Sequence, residues 1–145
     1  LSPGNNNELI ALLNYTQKNP QPSYLRLDKT EHKEVEFKKI PVSPGGIVKL
    51  IDGNKKKILL TTGSIQNLAK NIKLKKYKNY SLYSMPIWGM KAKNKAKNII
   101  KKFDEIITIE DHFYDGGFGS WLKECINDTN IKTIIKSKYI RPEVS

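Results

Sequence analysis

Glu105-Ile106-Ile107-Thr108-Ile109-Glu110-Asp111-His112-Phe113-Tyr114-Asp115-Gly116-Gly117-Phe118-Gly119-Ser120-Trp121 is the stretch on which the fold turns. Glu105 to Glu110 reads as a strand, short and rich in β-branched residues. Acids and a histidine leave it, and a Gly-Gly-x-Gly turn enters a segment where Phe118, Trp121, Leu122 and Cys125 recur at helical spacing. The same rhythm runs upstream. Ile58 to Thr62 is a short apolar strand ending in Gly63-Ser64, and Ile65, Leu68, Ala69 and Ile72 follow at helical spacing. Tyr80 to Met85 is a strand closed by Pro86, and Ala96, Ile99, Ile100 and Phe103 are helical again. Downstream, Ile131 to Ile135 reads as the fourth strand. Strand and helix in alternation predict an α/β fold, a mostly parallel sheet flanked by helices and joined by right-handed crossovers.

The N-terminal part has a different character. Asn5 to Lys18 predicts a helix, with asparagine at its cap and Glu8 in the first turn, where the helix dipole favours negative charge. Leu9, Leu12 and Leu13, widened by Ile10, form its apolar stripe, and Pro20 and Pro22 end it. Ser23 to Leu27 reads as a short strand. One helix and one strand cannot bury their own apolar faces, so residues 1–28 read as a helix-strand tail of another domain. Residues 29–46 read as a linker rich in Lys and Glu and punctuated by Pro41, Pro44, Gly45 and Gly46, with Val35 and Phe37 able to add an edge strand. Ile47 to Ile51 is a further strand, and Asp52-Gly53-Asn54 predicts a hairpin turn before the next. Residues 47–145 form the main domain. It stops just after its fourth strand, where a doubly wound sheet wants another covering helix. Both ends therefore read as cut, or as completed by a partner chain.

Composition narrows the function. The 145 residues carry 26 basic and 14 acidic side chains, a formal net charge of +12. Such an excess is compatible with nucleic acid binding. Yet arginine occurs only as Arg26 and Arg141, and lysine lacks the fork that reads bases and phosphates. The lysines fall mostly on outer faces of predicted helices, among asparagines, so the excess reads as a surface style and nucleic acid is not the expected partner. No apolar run approaches the roughly 20 residues of a membrane span. The start lacks a secretory signal, and the lone Cys125 allows neither an internal disulfide nor a cysteine-based zinc site. A cytoplasmic location is expected.

Ligands of open parallel sheets lie beyond the carboxyl ends of the strands. Thr61 to Ile65 falls there, with a tight turn at Gly63 and Ser64 able to cap a helix. Ser84 to Met90, with two sulfurs, a proline and an indole, reads as a packing or contact surface rather than a catalytic loop. In the deciding stretch, His112 with Gly116, Gly117 and Gly119 forms an interface or anion site, since free N–H groups at a helix start favour anions. This pattern is not the dinucleotide fingerprint Gly-x-Gly-x-x-Gly. His112 is suited to titrate near neutrality. No Ser-His-Asp elbow, phosphate-cradling loop or metal-ligand pair of histidines accompanies it, so no catalytic or metal residue is assigned. A flavodoxin-like anion or nucleotide module is the alternative reading.

Several segments in fixed order carry a resemblance. They are Pro3-Gly4 before an acidic helix start, Pro22-Ser23-Tyr24-Leu25-Arg26-Leu27, Thr62-Gly63-Ser64-Ile65, and Ile107 to His112 with Gly116-Gly117-Phe118-Gly119-Ser120. Together they resemble the transketolase family of thiamine diphosphate dependent enzymes: the end of the pyrimidine-binding domain, a linker, and most of the C-terminal domain. The resemblance implies two-carbon ketol transfer between sugars in a homodimer, with thiamine diphosphate and magnesium in the intact enzyme. It also implies that this segment holds neither and is inactive alone. The family's Gly-Asp-Gly motif and catalytic glutamate belong to a missing N-terminal portion, fused or a separate subunit. Arg26 and Lys29 match the family's substrate-phosphate stretch, with lysine where arginine is commoner. The C-terminal domain supports the dimer, so His112 would shape an interface.

Overall fold

The computed structural model describes residues 1–27 and 38–139. Lys29, His32, Val35, Phe37 and everything from Ile140 onward lie outside the described residues.

Helix α1 spans Asn6–Lys18. The sheet comprises β1 (Val48–Ile51), β2 (Asn54–Thr61), β3 (Tyr80–Ser84), β4 (Glu105–Ile109) and β5 (Ile134–Lys138). Helices α2 (Gln66–Lys76), α3 (Lys93–Ile100) and α4 (Phe118–Ile126) connect the last four strands. The order across the sheet is β1-β3-β2-β4-β5. All neighbours pair parallel except β1, which runs antiparallel to β3. The expected mostly parallel α/β sheet is thus present.

Period-two alternation in β2 sets the layers. Leu59 stands in register with Leu82 of β3 and Ile107 of β4, and these pack with Ala69 of α2 on one face. Ile58 and Leu60 point to the other face. There they meet Ala96 and Ile100 of α3 and Phe118, Trp121, Leu122 and Cys125 of α4. Each fully buried Leu or Ile contributes about 1.5–3 kcal/mol by leaving water. Burial pushes the Cys125 thiol up to about 11, so it packs as an apolar group.

Four local expectations are corrected. The hairpin at Asp52-Gly53-Asn54 does not form, because β1 pairs with β3 instead of β2. Gly53 passes so close to the Tyr80 backbone that a Cβ would lie 2.8 Å from Ser81 N, and Asn54 N–H donates to Asn79 O at 2.6 Å. The chain thereby crosses the amino end of β3 and enters the sheet on its far side. Ser23–Leu27 joins no ladder among the described residues; it is held by Arg26 N–H donating to Leu1 O at 2.9 Å. The last strand starts three residues late, because the Thr133 hydroxyl ties the carbonyls of Ile100 and Phe103 at the end of α3. Ser64 makes no cap: the single helical turn Gly63–Ile65 runs straight into α2, and neither start has a side-chain cap bond. Gly63 does supply the tight turn, at φ +69°. No helix among the described residues is long and apolar enough to cross a membrane.

Candidate functional site

β2 and β4 are neighbours, but their onward connections run to helices on opposite faces of the sheet. The two loops must diverge beyond the strands' carboxyl ends, which opens a crevice. Thr62, Gly63 and Ser64 form one wall, Asp111 and His112 the other. The N-terminal segment lies over this crevice. Ser2 N–H donates to Pro86 O at 2.8 Å, and Gly63 N–H donates to Ser2 O at 3.0 Å. Ser2, Arg26 and Leu27 complete a polar niche of about 80 Å³.

The start of α1 anchors that segment. Asn5 caps the helix by accepting from Glu8 N–H at 2.9 Å, and its amide donates to Gln66 Oε1 at 2.8 Å. Gln66 Nε2 in turn donates to Ser84 Oγ at 3.1 Å, tying α1 to α2 and β3. Glu8 is fully buried and accepts from Gly4 N–H at 2.8 Å. Desolvation raises its pKa, and the Gly4 bond opposes the shift.

Arg26 and His112, 86 residues apart, meet at the crevice mouth. Arg26 Nη1–H donates to His112 Nε2 at 2.8 Å, and Nη2–H donates to Asp111 Oδ2 at 3.1 Å. A guanidinium has no acceptor, so Nε2 must be bare and the imidazole proton must sit on Nδ1. That atom is shielded from solvent and lies 3.5 Å from Asp111 Oδ1. Trp88 stands edge-on to His112 at 6.0 Å between ring centroids and packs against Phe118 and Trp121 at 5.4 and 5.6 Å. Arg26, Tyr24, Trp88 and Met90 also line an open groove of about 530 Å³. The Ser84–Met90 loop is mixed in character: Met85 is wholly buried, Met90 largely exposed.

The glycine turn has a specific geometry. Gly119 N–H donates to both carboxylate oxygens of buried Glu110, at 3.1 and 3.0 Å, and Thr108 Oγ1 donates to Oε1 at 3.0 Å. An internal carboxylate therefore sits at the start of α4, where the helix dipole favours an anion. A Cβ on Gly119 would lie 2.5 Å from Glu110 Oε1, and one on Gly117 would lie 2.8 Å from Oε2. Gly116 is needed for its φ of +70°. The roles of Glu110 and Asp111 were missed in the sequence. The available signal was an acidic strand end followed by glycines at a helix start.

No family model matches the chain. A curated protein, 1-deoxy-D-xylulose-5-phosphate synthase of Halothermothrix orenii, is 30% identical over 142 residues, covering 92% of this chain and 22% of that protein. Among solved structures, a split gene transketolase described as an inactive beta4 tetramer matches with a TM-score of 0.74 at 19% identity. That match covers 97% of this chain and 47% of the other. The chain shares the fold of the split gene transketolase and is similar in sequence to part of the synthase.

The chain spans 22% of its curated relative and under half of its structural neighbour. Arg26 stands at the crevice, while Lys29 lies outside the described residues. Asp52-Gly53-Asn54 lies at the opposite, amino end of the strands, against Tyr80. Among the described residues no group of three His, Cys, Asp or Glu side chains is arranged to hold a metal ion.

Proposed function

We propose that the chain is the C-terminal part of a thiamine diphosphate dependent, transketolase-like enzyme that moves a two-carbon ketol unit between sugars. Arg26, with Lys29, meets an anionic group of the sugar, and the domain supports a homodimeric assembly. Coenzyme and magnesium are carried by the portion of the enzyme outside this chain, and the segment alone is inactive. The observation that carries this reading is the docking of residues 1–27 onto the switch-point crevice, which holds Arg26 at its mouth. The name of the curated relative, which specifies a sugar 5-phosphate, supports an anionic sugar. The tetramer named for the structural neighbour supports an oligomer.

What Arg26 does follows from its chemistry. Its planar fork binds an oxyanion through paired N–H groups, whereas Lys29 adds a point charge. The flavodoxin-like alternative has less support, because Ser2, Arg26 and Leu27 border the crevice and Glu110 holds the Gly119 N–H. Calorimetry of the intact protein with thiamine diphosphate and magnesium tests the enzyme reading: binding is expected, and its absence removes the reading's main support. Arg26→Ala should raise KM for a phosphorylated acceptor about tenfold or more, and for an unphosphorylated one little. Equal effects on both would make Arg26 structural.

A further inference from the structure

We propose that Asp111 and His112 are positioning residues for Arg26, through which the C-terminal domain orients the group that meets the substrate's anion. This rests on the proposed function, since it takes the ligand to be an oxyanion-bearing sugar.

Arg26 is half exposed, so its pair with Asp111 contributes little to stability. The consequence is orientation. A free arginine side chain samples many rotamers, and a ligand that must order it loses affinity in doing so. Here two of its five N–H donors are committed before any ligand arrives, one to an imidazole and one to a carboxylate. The committed partners lie on the β4 side of the crevice, and Arg26 itself borders both the niche and the wider groove. The imidazole is fixed in turn. Trp88 abuts one side, itself packed on Phe118 and Trp121 of α4, and Asp111 lies beside Nδ1. A line of packed rings thus runs from the α4 core to the arginine. His112 suits this place because neutral imidazole offers a directed acceptor, and Asp111 favours the tautomer that leaves Nε2 bare.

The chain has two arginines and two histidines, so side-chain NMR of the full chain resolves each. At mildly alkaline pH the expected pattern is a protonated Nδ1 and bare Nε2 on His112, and an Arg26 Nε–H as rigid as the backbone. His112→Phe should free the arginine and weaken binding of inorganic phosphate, followed on that Nε–H signal, about fivefold. His112→Gln, whose amide oxygen can accept the same N–H, should restore both. Unchanged backbone spectra exclude unfolding as the cause. A mobile Arg26 in the wild-type chain, or phosphate affinity indifferent to His112→Phe, overturns the assignment. These readings need neither coenzyme nor turnover. Failure of the intact protein to bind thiamine diphosphate would therefore sink the proposed function separately.

Discussion

At Gly119 a single missing methyl group lets three polar side chains meet. A Cβ there would crowd Ser137 Oγ, Glu110 Oε1 and Thr108 Oγ1, and this residue's own N–H donates to Glu110 alongside the Thr108 hydroxyl. Gly119→Ala should therefore cost about 1–3 kcal/mol, the range for overpacking a tight site, measured by denaturant unfolding. Gly116→Ala meets open space and bears only the backbone strain of φ +70°, about 1–2 kcal/mol. A larger loss at Gly116 than at Gly119 would mean that the carboxylate can move aside. Glu8 makes a different test. Burial raises its pKa in the folded state, so the native form binds a proton more tightly than the unfolded chain does. The stability linked to that proton is present at low pH and is lost as pH rises through the raised value. Glu8→Gln keeps an oxygen for the Gly4 N–H and removes the titration. Its Tm advantage over the wild type should widen as pH rises above the ordinary carboxylate range; an advantage that stays constant would place the cost elsewhere.

Periodicity decides what can be read at the scale of elements. β2, β4, α2 and α4 are recognisable because short continuous apolar runs mark the buried strands, and apolar residues recur at intervals of three and four in the helices. Partnership between elements has no local signature. β1 looks like the first arm of a hairpin, but its ladder is made with β3, whose first residue lies 29 positions after Ile51. Ser23–Leu27 has strand composition but finds no ladder partner among the described residues. The candidate site follows the same rule. Arg26 and His112 each stand out alone, while their contact depends on the diverging loops of β2 and β4. Phe118 links these levels: it begins α4, lies wholly buried and supports Trp88. Phe118→Ala should cost about 3–5 kcal/mol. It should also loosen the indole, which fluorescence quenching of Trp88 would report once Trp121 is replaced by Phe. Unchanged quenching would mean that the rings are held by other contacts.

Across the whole molecule, the N-terminal segment rests as a layer on the sheet domain. Its attachments include a polar relay through Asn5, Gln66 and Ser84, the buried Leu12, the backbone bonds of Ser2 to Gly63 and Pro86, and the Arg26 bonds to Asp111 and His112. The two apolar clusters that stabilise the sheet contain none of these N-terminal residues. Contacts divided in this way permit partial opening, in which one layer detaches while the other stays cooperative. Leu12→Ala should weaken the attachment by about 2–5 kcal/mol, the cost of truncating a buried leucine. Amide hydrogen exchange of the full chain should then accelerate at Gly63, whose N–H is bonded to Ser2, while Leu59 and Ile107 in the central strands keep their protection. Acceleration by the same factor at all three positions would show a single cooperative unit instead. The crevice mouth would then be a fixed part of the core, and Arg26 could leave it only through global unfolding.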